Sequence, residues 1–253
     1  MTEQTIFNGL VCGWFILSAV SFVVLLLIVA PYGRHNRGGW GPQISATVGW
    51  VVMEAPAPLF FALLFVFGSR TGSPVAAVFL AMWLLHYVNR AFVFPFRRRG
   101  SGKQMPLTIL AMALLFNGIN VYINGRYLFA LAPEYTLAWL SDPRFVIGAC
   151  LFLVGFAMNQ HADQVLFRLR KPGEGGYKVP LGGMYRYVSC PNYLGEILEW
   201  TGWAVATWSV PGLAFAVWTF ANLAPRALSN HRWYRETFPD YPIERRAFIP
   251  FIL

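Results

Sequence analysis

The chain has 253 residues, of which 57% are hydrophobic and 12% are charged, and its formal net charge is +9 at pH 7. Water-soluble domains carry about 25% charged residues, so this composition excludes a soluble globular protein and indicates an integral membrane protein. Basic charge of this size also suggests nucleic-acid binding, but the basic residues lie in short loops between apolar runs, where membrane topology explains them better. We therefore expect no nucleic-acid partner.

Seven apolar runs follow one another without a linker. The first three are long enough to cross a ~30 Å hydrocarbon core at ~1.5 Å per residue. The fifth and sixth qualify only if the polar residues that flank them belong to the same helices. We predict an all-α, polytopic membrane protein whose single domain covers residues 1–253. The runs are Phe7–Ala30, Ile44–Phe67, Val75–Phe94, Leu107–Ile123, Phe145–Met158, Tyr193–Val210 and Leu213–Leu228.

The distribution of lysine and arginine predicts the orientation. If the seven runs are spans, the segments between them fall alternately on the two sides of the membrane. Sixteen of the lysines and arginines then fall on one side, and three fall on the other: Arg70, Arg126 and Arg144. Cytoplasmic loops carry the excess of positive charge. The sequence therefore predicts an N-terminus outside the membrane, a cytoplasmic C-terminus and a cytoplasmic location for residues 159–199.

Glu54 is the one acidic residue in the middle of an apolar run. It lies roughly 16 Å from the predicted cytoplasmic start of its helix, at a depth where an isolated carboxylate is costly. Pro56 and Pro58 follow it and are expected to break the helix there. We predict that Glu54 faces a cavity or a partner. The alternative is a carboxylate satisfied by the kinked backbone or by a buried arginine.

Tyr87 lies in the next run, roughly 12 Å from its cytoplasmic end near Pro95 and therefore at a depth similar to that of Glu54. A carboxylate and a phenol on neighbouring antiparallel helices can then meet. His86 points about 100° away, whereas Arg90 lies one turn closer to the cytoplasm on the side of Tyr87. Taken alone, a tyrosine in a membrane helix is more often a packing residue.

Polar residues recur at helical spacing in three segments, which predicts three polar stripes at one membrane depth. A solvated collar at the membrane surface is the alternative, although it needs no face-specific pattern. Between the stripes, glycine-rich stretches can expose backbone N–H groups to a phosphate. The stripes are Asn159, Asp163, Leu166 and Arg170; Asn192, Glu196 and Glu199; and Arg226, Asn230 and Tyr234.

Several nucleotide and catalytic motifs are missing from the sequence. No GxGxxG follows a strand, no strands are predicted, and GxxxxGK[ST], HExxH and GxSxG are absent. The three cysteines, Cys12, Cys150 and Cys190, are not spaced as metal ligands, so no metal site and no disulfide framework are expected. A nucleotide would have to bind among helices, with arginines on its phosphates.

The polar segment resembles the C-terminal signature of the steroid 5α-reductase family. The resemblance rests on LRKPGE at residues 169–174, on Tyr177 and the NYLGEILEW run that starts at Asn192, and on the C-terminal FIPFIL. It extends to the N-terminal half, where Glu54 and Tyr87 fall at the family's catalytic pair, and it covers most of the chain. A bacterial member of the family is the expectation.

This resemblance implies a seven-helix membrane enzyme that uses NADPH to reduce the C4=C5 double bond of a 3-oxo-Δ4 steroid such as testosterone or progesterone, with hydride delivered to C5. Glu54 and Tyr87 would hold the C3 carbonyl. Residues of about 1–125 would form the substrate pocket, and residues of about 145–253 would bind the cofactor. The matching cofactor positions are Asn159, Asp163, Arg170, Tyr177, Asn192, Glu196, Arg226, Asn230 and Tyr234.

Two positions depart from the pattern: Asn230 stands where mammalian relatives are expected to have histidine, and Met53 stands where glutamine is expected. The alternatives are a sterol or enoyl double-bond reductase, a methyltransferase of the isoprenylcysteine type, and a lipid-binding or transport protein. Besides steroid and membrane lipid, no obligate protein partner is evident. The expected location is a bacterial inner membrane or, in a eukaryote, the endoplasmic reticulum.

Overall fold

The computed structural model describes residues 2–31, 33–98, 104–169 and 174–252, and within these ranges it is mainly helical. Each of the seven apolar runs is mostly helical, as predicted, and the helix of the fifth continues into polar residues as far as Arg168. The α-helices are α1 (Glu3–Leu27), α2 (Ala46–Glu54), α3 (Pro56–Val66), α4 (Pro74–Val88), α5 (Phe94–Arg97), α6 (Leu107–Arg126), α7 (Pro143–Arg168), α8 (Pro191–Thr207) and α9 (Val210–Thr237).

Two π-helical segments extend α4 and α6. They cover Asn89–Val93 and Tyr127–Leu131. The prediction of no strands is wrong in detail, because β1 (Gln43–Ser45) pairs in an antiparallel sheet with β2 (Gln104–Pro106). Each strand runs directly into a helix, so the pair joins the starts of α2 and α6.

Five helical stretches in the described ranges are long and apolar enough to cross a membrane: Glu3–Leu27, Ala46–Val66, Pro74–Arg97, Leu107–Leu131 and Pro143–Arg168. The sixth and seventh predicted spans correspond to α8 and α9. With 17 residues, α8 is about 26 Å long, slightly less than a ~30 Å hydrocarbon core. The count of seven spans and the orientation of the termini stay predictions.

The chain divides into two compact units. Unit 1 comprises residues 1–11 and 31–146. Its aromatic core lies where α3, α4 and the end of α6 meet: the ring of Phe61 stacks on Trp83 with 4.2 Å between centroids, and Phe129 meets Phe61 edge-on at 5.0 Å. All three side chains are fully buried. Phe61 follows Pro58 by three residues in α3, so this cluster lies next to the predicted helix break.

Unit 2 comprises residues 12–30 and 147–253. Its helices α8 and α9 pack side by side after a tight reversal. Trp208 has a left-handed backbone, with φ of 43°, and the Oγ of Ser209 accepts a hydrogen bond from Gly212 N at 3.0 Å. The predicted runs place this reversal at residues 211–212, three residues later than the structure has it, because a proline in the first turn of a helix starts that helix and does not end it.

Glycines let the backbones of α7 and α8 touch. A Cβ added to Gly195 would lie 2.6 Å from the backbone nitrogen of Asn159, and one added to Gly202 would lie 2.6 Å from the carbonyl oxygen of Gly148. Gly155, on α7, would meet the backbone of Glu199 in the same way. This close approach brings the polar end of α7 beside the start of α8.

The C-terminal segment returns to the start of α8. Ser189 N donates to Arg246 O at 2.8 Å, and Cys190 N donates to Ala247 O at 3.0 Å. The Oγ of Ser189 also lies 2.6 Å from Nδ1 of His231 on α9 and 2.7 Å from the phenol oxygen of Tyr241. Three segments of unit 2 are thus joined at one buried hydroxyl.

Candidate functional site

Glu54 lies at the break in the second apolar run, as predicted. Helix α2 ends at Glu54 and α3 begins at Pro56, with Ala55 between them. The Glu54 side chain is 14% exposed, and its Oε1 lies 3.9 Å from Nε of Arg90. The structure therefore gives this carboxylate a buried arginine as a neighbour, which was the alternative left open by the sequence.

Arg90 is held by two aromatic rings. Its guanidinium carbon lies 4.6 Å from the ring centroid of Trp50 and 4.6 Å from that of Phe94. Arg90 belongs to the π-helical segment after α4, and π-helical turns of this kind are frequent at functional sites. The wider turn and the two aromatic rings place a cation beside Glu54.

Tyr87 is on α4, three residues before Arg90, and its side chain is 3% exposed. Its ring centroid lies 4.8 Å from that of Trp83, one helical turn earlier. The indole nitrogen of Trp83 donates to Ala57 O at 3.1 Å. The two residues predicted as a catalytic pair are thus both in unit 1, on elements that meet around the helix break.

Asn159, Asp163 and Asn192 form one hydrogen-bonded cluster in unit 2. The Nδ2 of Asn159 donates to Asn192 O at 3.0 Å, and the Nδ2 of Asn192 donates to Oδ1 of Asp163 at 3.2 Å. Asn159 is 3% exposed and Asp163 5%. The predicted stripe on α7 and the predicted stripe on α8 therefore meet.

Two glutamates continue the α8 stripe. Glu196 is half-buried one turn after Asn192, whereas Glu199 is fully buried. Glu199 lies where Gly155 allows α7 to approach. Glu196 is thus partly exposed, whereas Glu199 belongs to the packed contact between α7 and α8.

The third stripe lies on α9 and meets Tyr193 of α8. The Nη2 of Arg226 lies 3.3 Å from the phenol oxygen of Tyr193, and the Nδ2 of Asn230 lies 3.4 Å from the same oxygen. Arg226 also donates to Oδ1 of Asn222 at 3.0 Å. The phenol of Tyr193 is therefore the point at which the α9 stripe contacts α8.

The remaining predicted cofactor residues have different surroundings. Tyr234 is 2% exposed and its ring stacks on Tyr241 at 5.2 Å between centroids. Tyr177 is half-buried and packs edge-on against Trp233 at 5.1 Å. Arg170 lies outside the described residues. Tyr234 thus packs against the C-terminal segment, whereas Tyr177 keeps an accessible face.

Sequence reasoning missed three residues of these sites: Trp83, Asn117 and Tyr193. Asn117 is 2% exposed on α6, and its Nδ2 donates to Met53 O at 2.6 Å. Its signal is an amide inside an apolar run, which indicates a buried hydrogen bond. Tyr193 follows Asn192 directly in the motif, but a tyrosine there has no helical-stripe signal of its own.

No group of three or more His, Cys, Asp and Glu side chains with the geometry of a metal site occurs in the described ranges. The charged and amide side chains of unit 2 instead suit an organic anion: arginine pairs with phosphate, and amides and carboxylates hydrogen-bond to sugar hydroxyls. Those of unit 1 are a carboxylate, a phenol and a guanidinium, which suit an uncharged polar group.

The chain is similar to known proteins over most of its length. Residues 103–253 match the model of the family described as 3-oxo-5-alpha-steroid 4-dehydrogenase. The chain is 45% identical to 3-oxo-5-alpha-steroid 4-dehydrogenase 1 of Bos taurus over 94% of this chain and 93% of that protein. It is 45% identical to the Homo sapiens protein of the same name over 87% of this chain and 85% of that protein.

Two plant proteins match over 99% of the chain. The Gossypium hirsutum protein named Steroid 5-alpha-reductase DET2 is 41% identical over 99% of both chains. These matched relatives are animal and plant proteins, so the expected bacterial source stays a prediction. The matched span extends through both units, so it covers the positions of Glu54 and Tyr87 as well as the stripes on α7, α8 and α9.

Proposed function

The chain belongs to the 3-oxo-5-alpha-steroid 4-dehydrogenase family, and on that premise we propose that it reduces the C4=C5 double bond of a 3-oxo-Δ4 steroid, with NADPH as the hydride donor. The observation that carries the proposal is the end-to-end similarity to steroid 5α-reductases of animals and plants. The side chains of both units have the chemistry that this reaction needs.

The enone must be polarised before it accepts hydride. Negative charge builds on the C3 oxygen as hydride reaches C5, and fixed donors in a dry site stabilise that charge best. The phenol of Tyr87, buried beside Trp83, is the proposed donor to this oxygen. Glu54 orients the phenol or donates directly, and Arg90 lies beside Glu54. Hydride at C5 and a proton at C4 complete the reduction.

NADPH supplies the hydride when it is bound. We propose that the unit 2 side chains hold it: the arginines on phosphate oxygens, and Asn159, Asp163 and Asn192 on sugar or amide groups. Arg226 with the Tyr193 phenol forms a second, cationic part of the set. Arg170, Tyr177, Glu196, Asn230 and Tyr234 complete the proposed cofactor residues.

Finer properties belong to the same proposal. Testosterone and progesterone are the proposed model substrates, since both are 3-oxo-Δ4 steroids. The membrane topology is proposed as seven spans with the C-terminus in the cytoplasm, where NADPH is available. Many large apolar side chains are exposed on the helices, among them Leu27 at 79% and Phe67 at 82%, which a lipid environment would cover.

The test is a turnover assay of the purified protein in detergent, with testosterone or progesterone and with NADPH, NADH or S-adenosylmethionine supplied separately. Mass spectrometry follows the steroid. Appearance of the 5α-dihydro product with NADPH alone is expected. Protein that binds NADPH but reduces only sterol or enoyl substrates would correct the substrate class. Methyl transfer from S-adenosylmethionine would overturn the reaction class.

A further inference from the structure

The break between α2 and α3 leaves backbone carbonyl groups to be satisfied from elsewhere. Pro56 and Pro58 have no N–H, so they cannot donate to the carbonyls of Val52 and Glu54, four residues earlier. In a membrane protein, backbone groups freed in this way need partners from neighbouring helices. The neighbouring carbonyls of Met53 and Ala57 do receive side-chain hydrogen bonds, and these bonds hold the backbone on either side of the interruption.

Two buried side chains donate to carbonyls on either side of the break. Asn117 of α6 donates from Nδ2 to Met53 O at 2.6 Å. Trp83 of α4 donates from Nε1 to Ala57 O at 3.1 Å. Asn117 is 2% exposed and Trp83 is fully buried, so water does not compete for either bond.

The bond from Asn117 acts on the peptide group that precedes Glu54. The Met53 carbonyl and the Glu54 N–H belong to one rigid plane. Holding this plane restricts the φ rotation that directs the Glu54 side chain. The bond from Trp83 attaches Ala57 to α4 at a position one helical turn before Tyr87. The ring centroids of Trp83 and Tyr87 are 4.8 Å apart.

We propose that Asn117 and Trp83 are positioning residues for Glu54 and Tyr87: Asn117 holds the peptide group before Glu54, and Trp83 joins the far side of the break to the helix of Tyr87. The proposal rests on the roles of Glu54 and Tyr87 in the proposed function. Neither positioning residue contacts substrate. Both act through the orientation of the residue beside them.

The first experiment compares Asn117→Leu with Asn120→Leu. Asn120 is the matched control, because it is the same residue type one turn later on α6 and is fully buried, and its Nδ2 has no acceptor among the described residues. We expect Asn117→Leu to lower kcat about tenfold to a hundredfold, since small displacements of reacting groups have effects of this size. Cofactor affinity, followed by nicotinamide fluorescence, should stay within twofold.

Thermal unfolding separates positioning from a loss of stability. Both leucine variants are expected to unfold at similar temperatures, while only Asn117→Leu loses turnover. A loss of turnover of the same size in Asn120→Leu would overturn the proposal, because the effect would then come from α6 packing in general. An Asn117→Leu variant with the kcat of the parent protein would overturn it as well.

A double-mutant comparison tests whether Asn117 acts through Glu54. In a Glu54→Gln background, Asn117→Leu should change the residual kcat by less than twofold, because the group that it positions is already gone. An equal fold-loss in both backgrounds contradicts the proposal. If Glu54→Gln itself keeps full turnover, the failure lies with the proposed role of Glu54 and not with the positioning bond.

Trp83→Phe provides the second route if Asn117→Leu does not fold. Phenylalanine keeps a ring against Phe61 and Tyr87 but cannot donate to Ala57 O. We expect a fall in kcat of about tenfold with the same cofactor affinity, and the loss should disappear in a Tyr87→Phe background. Unchanged kcat in folded Trp83→Phe would overturn this half of the proposal.

Discussion

Nε of Arg90 lies 3.9 Å from Oε1 of Glu54, and the two side chains are only 18% and 14% exposed. The guanidinium lies against two aromatic rings, with its carbon 4.6 Å from the centroids of Trp50 and of Phe94. At 3.9 Å the contact with Glu54 is longer than an N–H···O hydrogen bond, so the attraction between Nε and Oε1 is coulombic.

The first prediction concerns this pair. Arg90→Met and Glu54→Gln are each expected to destabilise the protein, and the double variant should lose less than the sum of the two, with a coupling of about 1 kcal/mol. Removing one partner leaves the other charge partly buried and costs more than removing both. Thermal or denaturant unfolding of the four proteins in one detergent measures the coupling; strictly additive losses would contradict it.

The second prediction concerns the proposed catalytic pair. Glu54→Gln and Tyr87→Phe are each expected to lower kcat by about a hundredfold to a thousandfold, the usual effect of removing a donor to a developing oxyanion. Both changes keep the shape of the side chain. Steady-state turnover of a 3-oxo-Δ4 steroid with NADPH gives the values.

A control variant shows that the loss is local. His86→Phe changes the neighbour of Tyr87, whose ring meets Tyr87 edge-on at 4.9 Å. Because His86 has no role in the proposed chemistry, this variant should lose much less turnover than Tyr87→Phe. Normal turnover in Glu54→Gln and Tyr87→Phe would remove the proposed roles from both residues.

The third prediction concerns the contact between α7 and α8. A Cβ on Gly155 would lie 2.5 Å from the carbonyl oxygen of Gly195 and would also meet the backbone of Glu199. Backbone cannot rotate away as a side chain does, so Gly155→Ala must separate the helices. The expected cost is about 3 kcal/mol or more, with weaker NADPH binding because the Asn159 bond to Asn192 is lost.

Gly118→Ala is the matched control for that substitution. Gly118 is also inside a helix, α6, but a Cβ there would meet nothing within 4 Å. Alanine in place of glycine in an open helical position stabilises by about 0.4–1 kcal/mol. Unfolding temperature and cofactor affinity, measured on both variants, decide the matter: equal behaviour of the two would mean that the α7 and α8 backbones do not touch.

The fourth prediction concerns pH. Burial lowers the pKa of His231 below its ordinary value of 6.5, and Arg235 and Arg246 lower it further. Ser189 and Tyr241 also face this imidazole, through the hydrogen bonds at the Ser189 hydroxyl. The unfolded chain therefore binds a proton more readily than the folded chain, and stability falls as the pH drops below about 6.5.

The pH effect is measured as the unfolding temperature between pH 8 and pH 5. In His231→Gln the side chain does not titrate, so the part of the pH dependence that His231 causes should vanish. The sign is the decisive observation. Greater stability at pH 5.5 than at pH 7.5 in the parent protein, reversed in His231→Gln, would show that the imidazole is protonated in the fold.

The helix break shows what a local pattern can predict. Two prolines within three residues remove two backbone donors, so the end of α2 at Glu54 follows from the sequence. The polar stripes are similar: amides and carboxylates at helical spacing in an apolar chain must face partners, and Asn159, Asp163 and Asn192 do.

Other features depend on contacts between distant residues. The donation from Asn117 to Met53 joins positions 64 residues apart, and nothing in either local sequence names the other. The π-helical turn at Arg90 arises from the same kind of context, since it needs one extra residue between α4 and α5. Short strands such as β1 and β2 have three residues each, too few for an alternating pattern.

Tyr234 illustrates a different limit. Its spacing from Arg226 and Asn230 places it on the same stripe, but the structure stacks it on Tyr241 of the returning C-terminal segment. Helical spacing identifies a face and not the group that covers it. The family resemblance therefore assigns Tyr234 to the cofactor, whereas its burial assigns it to packing against Tyr241. Unchanged cofactor affinity in a Tyr234→Phe variant would favour the packing role.

The pairing of the C-terminal segment with the start of α8 has a consequence for biosynthesis. The backbone N–H groups of Ser189 and Cys190 donate to the carbonyls of Arg246 and Ala247, which the ribosome adds roughly 60 residues later. At a rate of ~5–20 residues per second, these groups wait about 3–12 s. In the same unit, Trp14 of the first helix stacks on Trp218 of the last. Unit 2 thus closes only when translation is nearly complete, and a chain stopped before residue 246 would leave that unit exposed to membrane quality-control proteases.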